Sequence, residues 1–564
     1  MKNIKFLICI ILALALLVSC APAEWPSGGE TETGEPARDK LEETEVIKLG
    51  VTVSGKRIRA QKDPFGEGYT LYLPACYSGA VWSTEAEGFS VSGKEIKNGE
   101  SASEVLFADS ITLEKDGKTE SIKVMRSANI PALFIDTEDG TMDKINASPD
   151  HSYSSKGDYL LVSENGEELG TGALKKVRGR GNSTWYGTDK KPYQIDMEES
   201  VSLLGLAKAK KYVLLANYYD PSLLRNRVAL KIAELADTGY APKCEPIDLF
   251  ACGEYLGSYL LCEKIDIDDT RIDIYDLEGA TEDANEEDLD SYERRGEIEG
   301  AAPGSAKWFD IPNDPEDITG GYLLEADYPE RYPDEVSGFV TSRGLPIVIK
   351  TPEYVSKAQV DYIREFVGDF EDALYSETGY NEKGKHYSDY ADVDSLVFKY
   401  LLEEFALNID GGISSFYMYK DTEANGGKLN FSCAWDYDCG FGNYKQYADL
   451  TQPDSMFVAS NERRNNKSMP SWFYAMMQRP EIKEKVSSYY KETFRDILNS
   501  VSESLAGYTD QIEASALMDF NLYEGYEKRD FFGVNTGDTY EESAKYLANF
   551  IEQRIAHFDT VFGE

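Results

Sequence analysis

The sequence predicts an α+β protein in which a small β-sandwich module precedes a larger mixed unit. Three observations lead there. A chain of 564 residues that is 41% hydrophobic and 12% aromatic carries enough apolar surface for two or three domains. Between residues 46 and 128, short apolar runs alternate with polar ones at strand spacing. From about residue 130, strand-like runs give way to stretches with a helical apolar face, and these dominate beyond about residue 480.

The elements follow in order. Lys2 and Lys5 precede a wholly apolar run from Phe6 to Val18. That run falls short of the ~20 residues a membrane span needs but suits a signal-peptide core. It ends in Leu17-Val18-Ser19-Cys20, which resembles the lipobox of bacterial lipoproteins. The resemblance implies that residues 1–19 are removed and that Cys20 is lipidated. It also implies an extracytoplasmic protein held to the cell membrane by its lipid anchor only, since two or more acyl chains suffice. Residues 20–45, rich in Gly, Pro, Ser, Thr and Glu, read as a flexible stalk. Residues 46–128 contain Ile47-Lys48-Leu49-Gly50-Val51, Tyr69-Thr70-Leu71-Tyr72-Leu73, Ile111-Thr112-Leu113 and Ile122-Lys123-Val124, with turns such as Asp116-Gly117 between. This pattern predicts an antiparallel sandwich, a spacer or a module for a cell-wall or surface partner.

Composition removes several function classes. A net charge of −43 argues against nucleic acid and against anionic lipid surfaces as partners. Six cysteines remain after Cys9 and Cys20. Cys252 and Cys262 suit a pair across a hairpin, but no wider disulfide framework or CxxC metal spacing is present. The three histidines, His151, His386 and His557, lie near no Cys or Glu cluster, which argues against zinc and against a Ser-His-Asp triad. Carboxylates, Lys and Asn are left to carry any chemistry.

In the larger unit, Ala132-Leu133-Phe134-Ile135 and Tyr159-Leu160-Leu161-Val162 read as strands, as does Lys190 to Met197. Asp220 as N-cap and Pro221 in the first turn predict a helix with Leu223, Leu224, Val228, Ile232 and Leu235 on its apolar face. A hairpin with Gly253 in its turn spans Ile247 to Lys264. Residues 277–317 are acidic, contain Gly and Pro, and predict an exposed insertion. Helices are expected over 357–375 and 392–407. Domain limits follow at 129–480 for the main unit, with 481–564 as its helical C-terminal part.

Three patches carry candidate chemistry. In the first, the turn Arg178-Gly179-Arg180-Gly181-Asn182-Ser183 lets backbone N–H groups approach an anion, and Lys191 can reach the same anion. The second is Asn408-Ile409-Asp410, after an apolar helix. The third is Trp435-Asp436-Tyr437-Asp438-Cys439-Gly440-Phe441-Gly442, where a strand-like run ends in two aspartates placed to bind Mg²⁺.

In this order, the patches resemble the CotH kinase family, named for a spore coat protein. Lys191-Pro192-Tyr193, Tyr212 to Asp220, Leu224-Arg225-Asn226, Gly257 to Lys264 and Ser415 to Asp421 extend the match across roughly 130–480. The resemblance implies an atypical protein-kinase-like fold and transfer of phosphate from ATP, with Mg²⁺, to protein Ser/Thr acceptors. It implies that Lys191 holds the ATP phosphates, with Glu263 lining the nucleotide pocket. Asp410 then orients the acceptor hydroxyl, and Asp436 or Asp438 is the principal metal ligand. An ordinary kinase has an Asn five residues after its catalytic Asp. Ser415 stands there, and Asn408 is the substitute metal donor. Two other readings stay open. One is a non-catalytic cell-surface lipoprotein that uses the scaffold to bind protein or cell-wall polymers. The other is a glycoside hydrolase pairing Asp410 with Asp436 or Asp438.

Overall fold

In the strands that follow residue 130, apolar side chains recur at every second position: Leu133 and Ile135, Tyr159 and Leu161, Tyr193 and Ile195, Tyr212 and Leu214, Tyr259 and Leu261. Period two places each set on one face. In the computed structural model these faces close on one another as a seven-stranded barrel. Its strands run Ala132–Thr137, Ser154–Val162, Glu168–Gly179, Tyr193–Val201, Ala209–Leu215, Glu254–Glu263 and Cys244–Ala251 in spatial order. The last pairs parallel with the first and closes the ring. The structure describes residues 40–66, 68–297, 299–460, 471–523 and 530–563. The segment expected to be a signal peptide, most of the expected stalk and Cys20 lie outside the described residues.

A second, antiparallel sheet of seven strands faces the barrel. Its centre is Pro346–Thr351, Tyr322–Ala326 and Phe416–Lys420. Leu323, Ile347, Ile349 and Met418 from this sheet share one core with Val213, Leu260 and Cys262 on the outside of the barrel. Helices Lys357–Tyr375 and Val393–Ala406 cover the sheet. The first starts in a capping box of Ser356 and Gln359, the second at the Asp392 cap. The C-terminal helices Pro480–Tyr489, Arg495–Leu522 and Tyr540–Phe562 join the same core. No helix among the described residues is long and apolar enough to cross a membrane.

Three expectations need revision. The helix expected at Asp220 begins at Arg225, because the Asp220 carboxylate accepts the N–H groups of Ser222 and Arg225 and holds a separate turn there. Leu235, expected on the apolar face, is exposed to solvent. Residues 277–317 are not a featureless insertion: Leu277–Asp283 is helical, and Arg294–Gly296 and Ala306–Phe309 form one edge of the second sheet. The segment 46–128 does fold as two small sheets. One pair in the larger sheet, Tyr69–Leu73 with Ile122–Arg126, is parallel. Its core also runs on into the barrel wall through Phe134, Phe250 and Tyr255, and into Met518 of a C-terminal helix.

Candidate functional site

The barrel and the second sheet enclose a cavity of about 430 Å³. Along the barrel strand Glu168–Gly179 and just beyond it, Val177 points inward, so Arg178 and Arg180 point outward into the cavity. Gly179 lies between them against the Trp185 indole. A Cβ there would come within 2.2 Å of the ring, so the strand admits no side chain at this point. Arg178 Nη2 donates to Gln194 Oε1 at 3.1 Å. The Arg180 guanidinium lies over the Trp435 ring, 5.4 Å from its centroid. Burial lowers its pKa, against the pull of Tyr417 and Asp436 beside it.

The opposite wall is the second sheet. Lys350 sits between Glu325 and Glu335, at 3.5 and 3.4 Å. Burial pushes Glu325 up to about 7, although Lys350 opposes the shift.

The floor holds the acids. Asp436 and Asp438 both line the cavity. Burial raises Asp436, and the Asp410 carboxylate raises it further, against Arg331 and Arg180. Asp438 is pushed well up by burial and then by Asp436, Asp220 and Asp410. Mutual repulsion of this kind places Asp410 in one electrostatic unit with the two lining acids. Backbone strain collects here as well. Asn217, Ser415 and Asp436, non-glycine residues on the cavity wall, have φ of 49°, 51° and 66°.

The surroundings hold these conformations in place. Ser415 Oγ donates to Asp436 Oδ2 at 3.2 Å. Asn226 Oδ1 accepts the Tyr437 N–H at 2.7 Å, and its Nδ2 donates to Asn217 Oδ1 at 3.0 Å. Arg225, buried and paired with Asp220, donates through Nε to the Gly440 carbonyl at 3.1 Å. On the other side Tyr328 donates its hydroxyl to Asp410 Oδ1. Arg331 pairs with Asp327 at 3.3 Å. Its pKa rises despite desolvation, because Asp327, Asp436 and Asp410 stabilise its charge.

The sequence-predicted residues divide. Asp410, Asp436 and Asp438 come together. Lys191 does not join them: its Nζ donates to the carbonyls of Trp185, at 2.6 Å, and Thr188. The reason is phase. Lys191 shares the alternation of Tyr193 and Ile195, which face the barrel interior, whereas Pro192 and Gln194 face the cavity. Glu263 is also elsewhere, its carboxylate accepting from the backbone N–H of Ala207 and Lys243 and from the Tyr240 hydroxyl. Asn408 is buried, donating to Glu403 Oε2 at 2.9 Å and accepting the Asp410 N–H at 3.1 Å, so it shapes the Asp410 turn and does not line the cavity. Sequence reasoning missed Arg180 as the cavity cation, and Tyr328 and Arg331. The Arg180 signal was the alternation Val177-Arg178-Gly179-Arg180. Tyr328 and Arg331 sit in a loop with no periodic signal.

The residues present fit Mg²⁺ in one way. Among the described residues no group of three or more His, Cys, Asp or Glu is arranged to hold a metal. Two recessed carboxylates whose pKa values are raised by burial and by neighbouring aspartates would both be relieved by a dication. Mg²⁺ ordinarily takes one or two carboxylates and completes its shell with water and phosphate oxygens. Asp436 and Asp438 would be that partial donor set.

The family model described as CotH kinase protein matches residues 177–558, more than half of the chain, including Arg180, Asp410, Asp436 and Asp438. No curated relative matches the sequence. The chain belongs to the CotH kinase family.

Proposed function

We propose that this member of the CotH kinase family is an extracytoplasmic, ATP- and Mg²⁺-dependent protein serine/threonine kinase. The observation that carries the reading is the convergence of Asp436 and Asp438 on one cavity that Arg180 also enters, with Asp410 close enough to raise both carboxylates. Asp436 and Asp438 would hold Mg²⁺, which neutralises phosphate charge when bound. Arg180 takes the phosphate-facing place first expected of Lys191, with two-pronged donors suited to phosphate oxygens. Asp410, its other side fixed by Tyr328, accepts the proton of the acceptor hydroxyl as that oxygen attacks the γ-phosphorus and the bond to ADP breaks.

The test is a thermal shift with MgATP beside phosphotransfer to a generic protein acceptor, for wild type, Asp410→Ala, Asp436→Ala and Asp438→Ala. The kinase reading expects loss of MgATP stabilisation in at least one of the Asp436 and Asp438 variants. Asp410→Ala should keep binding while transfer falls about 10²–10⁴-fold. MgATP binding without transfer by wild type favours the non-catalytic scaffold. Sugar release from cell-wall material would indicate the hydrolase. Localisation rests on the lipobox-like Leu17 to Cys20, and Cys20→Ala is expected to abolish labelling by a palmitate analogue.

A further inference from the structure

Cys252 and Cys262, the pair the sequence suggests across the hairpin, are placed apart. Cys252 lies in the turn and Cys262 near the far end of the strand Glu254–Glu263. Cys244 instead stands directly opposite Cys262 in the antiparallel register. The kind of pairing follows from the ladder. The Glu263 N–H donates to the Lys243 carbonyl at 3.0 Å, so Lys243 and Glu263 are a hydrogen-bonded pair and the next, Cys244 with Cys262, is a non-hydrogen-bonded one. Pro246 confirms the phase, since it has no N–H to donate and faces Leu260 at another non-hydrogen-bonded position.

Directly opposite residues at such positions have Cα atoms about 4.5 Å apart, within the ~4.4–6.8 Å range that a disulfide spans. Both side chains also project on one side of the strands. Cys262 belongs to the core outside the barrel, and Cys244 packs against that core. Both are thiols in the structure, Cys262 buried and Cys244 half-buried.

We propose that Cys244 and Cys262 are an oxidisable dithiol that closes into a cross-strand disulfide on the outer wall of the barrel. The co-reactant is a disulfide donor, either a low-molecular-weight disulfide or an oxidoreductase. The half-buried Cys244 thiolate attacks the donor, releasing one thiol and forming a mixed disulfide. The Cys262 sulfur then attacks the Cys244 sulfur, its proton leaving with the second thiol. Two thiols are oxidised and one donor disulfide is reduced. Burial raises the Cys262 thiol, as does the Cys244 thiol in contact with it, so the half-buried Cys244 is the thiol that meets the donor first. The bridge would staple the wall next to Lys264 and Ile265, which line the cavity, and beneath Arg180, whose charge Cys262 senses.

The experiment incubates the purified protein with oxidised glutathione, or with excess dithiothreitol as control. Remaining thiols are blocked with iodoacetamide without unfolding and again after unfolding, and the peptides are mapped by mass spectrometry. The expected result is a Cys244–Cys262 linked peptide in the oxidised sample only, with both residues protected from alkylation after unfolding. Cys252→Ser should retain the link and Cys244→Ser should lose it. A wild type whose Cys244 and Cys262 stay alkylatable at saturating oxidant overturns the proposal, as does a link from Cys262 to any other cysteine. Because the wild-type peptide map decides the matter, a variant that fails to fold leaves it decidable.

Discussion

Arg180 enters the cavity and Lys191 does not, although both are cations on neighbouring strands. Strand phase made the difference, and it was legible: Lys191 shares its alternation with Tyr193 and Ile195. What the sequence could not show was which flanking carbonyls would absorb the Lys191 ammonium, because the short helix Ser183–Gly187 folds back to supply one of them. Two predictions belong at this scale. Arg180→Ala should weaken MgATP binding by about 10- to 100-fold, the value of a charge-assisted contact to phosphate. Lys191→Ala should leave it within about two-fold, and calorimetry on both separates the roles. The second concerns Glu371, buried, with Trp472 Nε1 donating to one oxygen at 2.8 Å and no partner of hydrogen-bonding geometry at the other. Burial pushes its pKa up to about 7. A raised acid binds its proton more tightly folded than unfolded. Its contribution to stability is therefore lost as pH rises from the unfolded value of about 4.3 through 7. Glu371→Gln removes that loss. The variant should be more stable than wild type by about 1–3 kcal/mol near pH 8, and no more stable near pH 4, by urea unfolding at both.

The elements themselves were largely readable where a period ran long. The helix Lys357–Tyr375 matches its expected limits because Ser356 and Gln359 announce its start and an apolar stripe carries through it. The sequence did not reveal that Asp220 would spend its carboxylate on a turn, since an aspartate before a proline reads equally as a cap. Nor could it reveal that residues 294–296 and 306–309 extend a sheet, because three- and four-residue edge strands carry no periodicity of their own. The acid-bearing loop after Trp435 is an element held by another. Asn226, on the first turn of the helix Arg225–Ala236, bonds both the Tyr437 N–H and Asn217. That places two strained backbones, at Asn217 and Asp436, under the control of one amide. Asn226→Ala should cost about 1–3 kcal/mol, the penalty for leaving buried polar groups unpaired. Phosphotransfer should fall more than MgATP affinity, because Asp436 loses its set conformation. Denaturant unfolding and a kcat against KM comparison read the two effects. Equal stability with unchanged kcat would mean the loop holds itself.

At the scale of the molecule, alternation set residues 46–128 apart in the sequence, and the segment folds as two small sheets. It could not show the docking, since the contacts cross hundreds of positions and leave no local pattern. Arg59 pairs with Glu254, the Gln61 side chain bonds the backbone of Tyr255 both ways, and Asn521 of the helix Arg495–Leu522 donates to the Tyr72 hydroxyl. Beneath these contacts Phe134, Phe250 and Tyr255 of the barrel are buried in the module's own core. A spacer would leave the barrel complete without it; this module does not. Removing residues 40–128 would bare those three aromatic rings together with Met518. At about 1.5–3 kcal/mol for each large side chain returned to water, the loss approaches the whole stability of a typical folded protein, about 5–15 kcal/mol. The truncated chain is therefore expected to aggregate or to lose cooperative unfolding, and to bind MgATP poorly even though the cavity residues remain. The measurements are thermal unfolding and size-exclusion chromatography of the truncated and intact chains, with MgATP added to each. A truncated chain that stays monodisperse and melts cooperatively within a few degrees of the intact one would show that the shared core is dispensable and that the module is a separable attachment after all.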